Sequence, residues 1–452
     1  MKILIVGGGK VGLTLAEHLR HENHDIALID PDSKVIEYAS NEYDILGIEG
    51  SGVSCECLST AGADKADLLI AAASLDEVNI LSCAIARKMG TKRCIARVRD
   101  PRLNGQMDFM REELGLSAVV NPEYDAAAEI SRIIRMPAAI RLESFAKGRL
   151  DLAEIRIEPE SPLDGLSLFM LPKLFKSTKL LICAVEREGD VIIPSGDFVL
   201  REGDRIHVTA PHADLNGFFK KQGSAAPRIR SVMIIGGGRI AYYLTRMLLD
   251  SGISVKIIEI DRARCEELST AFPKAKILCG DGTNQDILMS EGLPTADACV
   301  ALTGLDEENI ILSMFARSQS RAKVITKVNK LSLKKMVSAV GVESVVSPKQ
   351  LTANLIVQYV RAVQNAGGSS ISTLYKLLDD RVEAIEFVAR EGSRLLGVPL
   401  RDLSLKKDVL IAGIIRSGKV IVPNGDDAIQ RRDSVIVVTT NRYFRDLDEI
   451  IQ

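Results

Sequence analysis

One pattern occurs twice in this chain. ILIVGGGKVGLTL at residues 3–15 returns as VMIIGGGRIAYYL at residues 232–244. In each copy an unbroken apolar run meets a glycine cluster. An apolar residue then recurs every fourth position: Val11, Leu15 and Leu19 in the first copy, Ile240, Leu244 and Leu248 in the second. The run reads as a strand buried on both faces, and the spacing as one face of a helix. Strand, tight glycine turn and helix form the context in which G-x-G-x-x-G marks a dinucleotide-binding turn. Gly7 permits the turn, Gly9 lets the backbone approach a pyrophosphate, and Gly12 lets helix and strand pack closely. Gly8, Lys10 and Val11 complete the turn, where a helix N-terminus offers free N–H groups to phosphates. Gly236, Gly237, Gly238, Arg239 and Ile240 take these places in the second copy, with Ala241 for the third glycine. The same offset of 229 residues carries Asp30, at the end of IALID, to Glu259 in VKIIEID. A carboxylate there can accept hydrogen bonds from ribose hydroxyls and would repel a 2′-phosphate, favouring NAD or an adenine nucleotide over NADP. A lone glycine motif is weak evidence, because ordinary turns also use glycine. Two in register, each with its strand, helix and acid, leave chance turns a poor explanation.

The register persists beyond the turns. DILGIEG, ADLLIAAAS, RCIARVRD and AVVNPEY read as further strands, with helices from Asp76 to a stop at Gly90 and from Asp125 to near Pro137. KILCGDGTNQDIL, ADACVALTG, KVITKVNK and SVVSPKQ repeat them, and the last helix is expected through Ala366. Strands alternating with helices predict a doubly wound parallel sheet, the Rossmann arrangement. Each is followed by a smaller unit of short strands and turns, in which Pro194-Ser195-Gly196-Asp197 matches Pro423-Asn424-Gly425-Asp426. Arg187-Glu188-Gly189-Asp190 reads there as a hairpin turn. The expected fold class is therefore α/β: two Rossmann-like doubly wound parallel sheets, each followed by a small α+β subdomain. The expected domains are 1–137, 138–222, 231–366 and 367–452. The polar stretch from Lys220 to Arg230 reads as the linker between halves.

Composition narrows the function. A net charge of −2 argues against a nucleic-acid partner. No apolar run approaches the ~20 residues that span a bilayer, and no signal-peptide pattern opens the chain. These features predict a cytoplasmic protein, able to dock on a membrane protein. Of the eight cysteines, none has C-x-x-C spacing and most lie in apolar runs, which favours buried free thiols over metal or disulfide. The histidines show no ligand spacing, so no metal site is expected. Lys10 is not a phosphate-loop lysine, because G-x-x-x-x-G-K-[ST] is absent.

The glycine turns, Gly280-Asp281-Gly282-Thr283, the D-E-x-N helix starts at Asp76 and Asp306, Asn121-Pro122-Glu123 and the P-x-G-D hairpins together resemble the RCK (KTN) regulatory domains of potassium channels and transporters. Two complete copies, covering essentially the whole chain, are similar to the regulators of Trk-type potassium transporters. The resemblance implies a Rossmann unit that binds NAD or NADH, or ATP or ADP. It also implies a small unit that mediates assembly, and a homotetrameric ring beneath a membrane-embedded Trk-type partner, held at the cytoplasmic face of the membrane. In the first site it implies phosphates on Gly7 to Val11, ribose on Asp30, a cleft lined by Ala73 and Ser74, and Arg97 reaching a phosphate. In the second it implies Gly236 to Ile240, Glu259, Asp281, Thr303, Gly304 and Lys327. Ser51 stands in the place of Asp281, and Lys349 in that of Glu123, so a cation or phosphate role of Glu123 is confined to the first half.

Other readings of these residues stay open. Arg97 and Arg99 alternate along a strand, so a solvated pair is as good a reading as a phosphate clamp. Asp76 and Glu77 suit the N-terminal dipole of a helix better than catalysis. An NAD-dependent oxidoreductase is the alternative function, since many use this fold. No His–Asp or Lys–Tyr constellation is visible to serve as its acid and base, so no enzyme activity is expected. Regulation of another cation transporter is the third reading. The helices after Asp125 and after Lys349 are expected to carry the contacts between neighbouring units.

Overall fold

The computed structural model describes residues 1–145, 149–175, 179–221, 228–330, 333, 337, 341–342, 344–365, 371–378, 381–441, 444 and 446–452. Within the expected linker, 222–227 lie outside the described residues, as does Ala366 at the expected end of the last long helix.

The first Rossmann half runs β1 (Lys2–Val6), α1 (Lys10–His21), β2 (Asp25–Asp30), α2 (Ser33–Tyr43), β3 (Leu46–Glu49), α3 (Cys55–Thr60), β4 (Leu68–Ala71), α4 (Asp76–Met89), β5 (Cys94–Arg97), α5 (Met107–Glu113), β6 (Ala118–Val120) and α6 (Pro122–Arg135). Its six strands are ordered β3-β2-β1-β4-β5-β6, all parallel. The chain order reverses between β1 and β4, so their carboxyl ends open the crevice in which such sheets hold ligands. Ile3, Leu4 and Ile5 are wholly buried, as a strand covered by helices on both faces requires.

The first small subdomain contributes β7 (Arg141–Phe145), β8 (Leu150–Arg156), α7 (Leu171–Leu174), β9 (Leu181–Arg187), β10 (Asp190–Ile192), β11 (Arg205–Ala210) and α8 (His212–Lys221). Its sheet order is β10-β9-β11-β8-β7, with antiparallel pairing throughout. Arg187 faces Asp190 across the expected hairpin. Glu188 and Gly189 have φ of 52° and 91°, the double left-handed turn that suits strand twist.

The second half repeats both parts. Its Rossmann elements are β12 (Ser231–Ile235), α9 (Arg239–Asp250), β13 (Ser254–Glu259), α10 (Arg262–Ala271), β14 (Lys276–Cys279), α11 (Gln285–Ser290), β15 (Ala298–Ala301), α12 (Asp306–Gln319), β16 (Lys323–Lys327), β17 (Ser344–Val346) and α13 (Pro348–Asn365). The sheet order is β14-β13-β12-β15-β16-β17. The last sheet contains β18 (Ile371–Leu377), β19 (Val382–Val388), β20 (Val409–Arg416), β21 (Lys419–Ile421) and β22 (Ser434–Thr439), ordered β18-β19-β22-β20-β21.

The chain does not divide at the linker. Residues 1–131 and 229–357 form one compact unit, and 132–228 with 358–452 form another. Like parts of the two halves therefore pair with each other. In the second unit Phe145, Leu150, Leu152 and Cys183 share one apolar cluster with Ala384, Ala412, Ile436 and Val438. The Thr209 hydroxyl donates to the Ala412 carbonyl at 2.9 Å, and the Arg381 guanidinium donates to the Glu186 carboxylate. Among the described residues no helix is long and apolar enough to cross a membrane.

The helices expected to carry contacts between units bury much of their apolar surface within the chain. Ala126, Ala127, Ile130, Ile133 and Ile134 of α6 are buried within the chain, as are Ala353, Ile356, Val357 and Val360 of α13. Large exposed apolar side chains lie on and just before α4 and α12, at Leu75 and Leu81, Leu305, Ile311 and Met314, and also at Tyr124 of α6 and Leu355 of α13.

Candidate functional site

Each glycine of the first turn meets a different environment. Gly7 has φ +96°, and a Cβ there would lie 2.6 Å from the backbone of Ala73 at the end of β4. A Cβ on Gly12 would lie 1.9 Å from the Gly7 carbonyl oxygen, so helix and strand pack closely there. A Cβ on Gly9 would meet nothing within 4 Å, and the same holds for Gly238. These two positions open into free space at the helix N-termini, the place a pyrophosphate would take. Side chains of Asp32, Ser54, Asp261 and Asn284 cap α2, α3, α10 and α11, but none caps α1 or α9. The uncapped N–H groups at Lys10 and Val11, and at Arg239 and Ile240, leave both turns able to receive an anion.

The acids at the ends of the second strands hold their turns. Asp30 accepts from the Gly8 N–H at 2.6 Å and from the Asp32 N–H at 2.9 Å. Glu259 accepts from the Gly237 N–H at 2.6 Å and from the Asp261 N–H at 2.8 Å. The extra methylene of Glu259 is thus taken up within the side chain, and both carboxylates end on the same pair of donors. Each oxygen retains acceptor capacity for a ribose hydroxyl. Farther out, Ser51 is exposed and its hydroxyl accepts from the Val53 N–H at 3.4 Å. Asp281 accepts from both the N–H and the hydroxyl of Thr283, at 2.8 and 2.7 Å, and these bonds hold its carboxyl below the usual range.

The cleft floor is wired alike in the two halves. The Asn79 side chain accepts from the Ala73 N–H at 2.7 Å and donates to the carbonyls of Ala73 and Arg97 at 3.0 and 2.9 Å. Asn309 does the same for Thr303 and Lys327, at 2.7, 3.3 and 3.1 Å. The D-E-x-N motif marked this residue, but not that it ties the ends of two strands together. Asp76 accepts the N–H groups of Arg99 and Asp100, both at 2.8 Å, which gives it a structural role beyond the helix dipole.

Neither sequence reading of the arginine pair describes the arrangement fully. Arg97 is partly buried and donates to the Ala73 carbonyl at 2.6 Å, while Arg99 donates to the Ser74 carbonyl. Burial, then the charge of Arg99, lowers the pKa of Arg97. Lys327 donates to the Thr303 carbonyl, and burial lowers its pKa. Gly304 is exposed, with open space beside its Cα. Glu123 lies 3.9 Å from the Arg99 guanidinium, and its second oxygen is buried without a hydrogen bond. Burial raises its pKa against the opposing charges of Arg99, Arg97 and Arg239.

Arg239 belongs to the glycine turn of the other half. Its charge acts on Arg97, Asp100 and Glu123, and the charge of Lys10 acts on Lys327, Lys349 and Glu307. The sequence reading assigned Lys10 and Arg239 to their own turns, whereas the fold brings each within electrostatic reach of the opposite cleft. The halves also touch directly. The Tyr243 hydroxyl of α9 accepts from Asn121 at 2.9 Å and donates to the Arg99 carbonyl at 3.1 Å, with Tyr124 edge-on at 5.5 Å. Burial pushes the Tyr243 hydroxyl up to about 12. No local periodicity announced this residue: Thr14 holds its place in the first half.

The TrkA-N domain model matches residues 3–122 and 232–348, and the TrkA-C domain model matches 152–223 and 384–452. The chain is 32% identical over 455 residues to the Trk system potassium uptake protein TrkA homolog of Archaeoglobus fulgidus, covering 100% of both. It is 31% identical to the Trk system potassium uptake protein TrkA of Halomonas elongata, covering 100% of this chain and 99% of that one. Among solved structures, the GsuK RCK domain aligns with a TM-score of 0.64 at 20% identity over 96% of this chain and 91% of that one. The GsuK channel bound to NAD gives 0.64 at 20% over 97% and 76%. These structures share the fold. With both domain models matched twice and full-length relatives above 30% identity, the chain belongs to the TrkA family of Trk-system potassium uptake proteins.

Proposed function

We propose that the chain is the nucleotide-responsive regulatory subunit of a Trk-type potassium uptake system, acting from the cytoplasmic face on a membrane-embedded partner. The relatives named as Trk system potassium uptake proteins support this reading, and so do the two uncapped helix N-termini beside open glycines. The ligands are NAD or NADH, with ATP or ADP as the other class that fits a pyrophosphate turn and a ribose acid. In the first site Gly7 to Val11 receive phosphates, Asp30 the ribose, and Ala73, Ser74, Arg97 and Glu123 face the distal end. In the second, Gly236 to Ile240, Glu259, Asp281, Thr303, Gly304 and Lys327 have the matching roles.

One observation carries the regulatory reading: the Tyr243 hydroxyl, on the helix that follows the second glycine turn, bonds Asn121 and the Arg99 carbonyl, and Arg99 lies beside Glu123 of the first cleft. A ligand whose charge lies at the distal end of one cleft is then felt by the glycine turn of the other half. Two ligands with different distal charge favour different relations between the halves. The equilibrium between those states shifts by the difference in affinity, about 1.4 kcal/mol for a tenfold effect. Four chains assembled as a ring would pass this shift to the pore. The test is calorimetric titration of the full chain with NAD, NADH, ATP and ADP. The double variant Asp30→Ala, Glu259→Ala is expected to lose about 1–3 kcal/mol at each site, and unchanged stoichiometry and affinity would reject the assignment.

A further inference from the structure

The cysteines of the second half are not scattered. β14 ends at Cys279, which faces Glu259 across the parallel ladder. Cys265 lies early in α10, the helix that follows Glu259 by way of its capping residue Asp261. The Cys265 thiol donates to the Glu259 carbonyl at 3.4 Å, with the Leu278 carbonyl 4.0 Å away. The Cys279 thiol lies 3.9 Å from the Ile260 carbonyl. Both thiols therefore flank the short segment Glu259–Asp261, each beside one of its carbonyl groups. Cys279 is exposed and Cys265 buried. A small oxidant in solvent can reach the first, and the second waits behind it. The other interacting pair, Cys83 and Cys94, is buried at both members and offers no such entry.

We propose that Cys265 and Cys279 form a peroxide-oxidisable dithiol, a modification site at the adenosine end of the second cleft. The Cys279 thiolate attacks one oxygen of the peroxide and the O–O bond breaks. Cys279 becomes a sulfenic acid, and the departing hydroxide takes up the thiol proton as water. The Cys265 sulfur then attacks the sulfenic sulfur, an S–S bond forms and the S–O bond breaks. Hydroxide leaves and takes the Cys265 proton as a second water. Two thiols give up two electrons and two protons, and one peroxide becomes two waters. Burial, Cys279 itself and the charges of Glu259 and Asp261 push the Cys265 thiol up to about 11, so the second step sets the pace.

The disulfide removes the thiol hydrogen bond to the Glu259 carbonyl and ties α10 to β14 across the segment that carries the ribose acid. Ile36 and Glu49 occupy the corresponding places in the first half, so only the second half responds. The effect on nucleotide rests on the proposed function, whereas disulfide formation does not.

The experiment treats the reduced full chain with hydrogen peroxide, alkylates the remaining thiols and maps the peptides by mass spectrometry. The expected product is an intrachain link between Cys265 and Cys279, with two of the eight thiols lost and restored by dithiothreitol. Cys279→Ser should abolish the link, and Cys265→Ser should leave Cys279 as an over-oxidised acid. Oxidation of Cys279 without linkage in the unsubstituted chain, linkage only between chains, or an unchanged thiol count would each overturn the proposal. Titration of the oxidised chain with NAD and ADP is expected to show about a tenfold weaker affinity at one site, which peroxide-treated Cys279→Ser retains in full. A disulfide that forms and leaves affinity unchanged overturns the link to nucleotide. A disulfide in a chain that binds neither nucleotide in either redox state upholds the site and rejects the proposed function.

Discussion

Gly9 and Gly12 stand three residues apart in one turn and do separable work. Gly9 has φ −69°, a conformation any residue adopts, and open space where its Cβ would be. Gly12 has the Gly7 carbonyl oxygen 1.9 Å from that point. Gly9→Ala should therefore fold with an unchanged thermal midpoint yet bind nucleotide at the first site about tenfold more weakly, because its methyl occupies the anion's approach. Gly12→Ala should cost about 1–3 kcal/mol of stability, the usual effect of overpacking, and lower the midpoint before any ligand is added. Thermal melts with and without NAD check both. If Gly9→Ala melts early, or binds as well as the parent chain, the open space there is not a ligand's. The acids show a second separation at this scale. One methylene distinguishes Asp30 from Glu259. Both carboxylates nevertheless end on matching N–H groups, because backbone donors in a turn fix where an acceptor can end.

At the scale of elements, much was legible and the rest had a common cause. Strands such as ILIV and LLIA are continuous apolar runs, and the stripe of α1 has helical period, so local pattern sufficed for the core of each Rossmann sheet. β7 and β18 escaped notice because RLESF and ISTLYKL lack a clean alternation between turn signals. Contacts between halves escaped for another reason: Asn121 and Tyr243 are joined by the fold and not by spacing. Their bridge supports a specific outcome. Tyr243→Phe keeps the packing against Tyr124 and removes two hydrogen bonds, leaving the Asn121 amide and the Arg99 carbonyl without this partner. The expected cost is about 1–3 kcal/mol for the buried groups so exposed. The substitution lies in the second half, yet the affinity change should appear at the first site, where Arg99 flanks Glu123. Calorimetry on Tyr243→Phe with Asp30→Ala and Glu259→Ala as separate backgrounds assigns the change to a site. A change confined to the second site would show that the bridge does not connect them.

For the whole molecule, the repeat suggests two independent halves joined by a linker, and the packing argues otherwise. Residues 1–131 cluster with 229–357, and 132–228 with 358–452. The contacts named between the halves join like parts: one Rossmann unit to the other through Tyr243 and Asn121, and one small subdomain to the other through Arg381 with Glu186 and the cluster containing Leu152 and Val438. A duplicated chain that pairs its own copies resembles a two-fold homodimer whose subunits have been fused and have since diverged. Chains 1–222 and 228–452 made separately would each expose the faces that the other covers. Expressed alone, each should pair with a second copy of itself or aggregate, because apolar residues such as Leu150, Leu152 and Val438 would lose their cover. Expressed together with different tags, the two should co-purify in equal amounts. Their mixed pair should be the more stable, since only it restores the bond between Tyr243 and Asn121 and sets Glu123 near Arg239. Size-exclusion chromatography with light scattering, followed by tandem affinity capture, gives the measurement. Two monodisperse monomers that ignore each other at micromolar concentration would mean that the halves are independent, and that the electrostatic reach of Lys10 and Arg239 into opposite clefts plays no part in regulation.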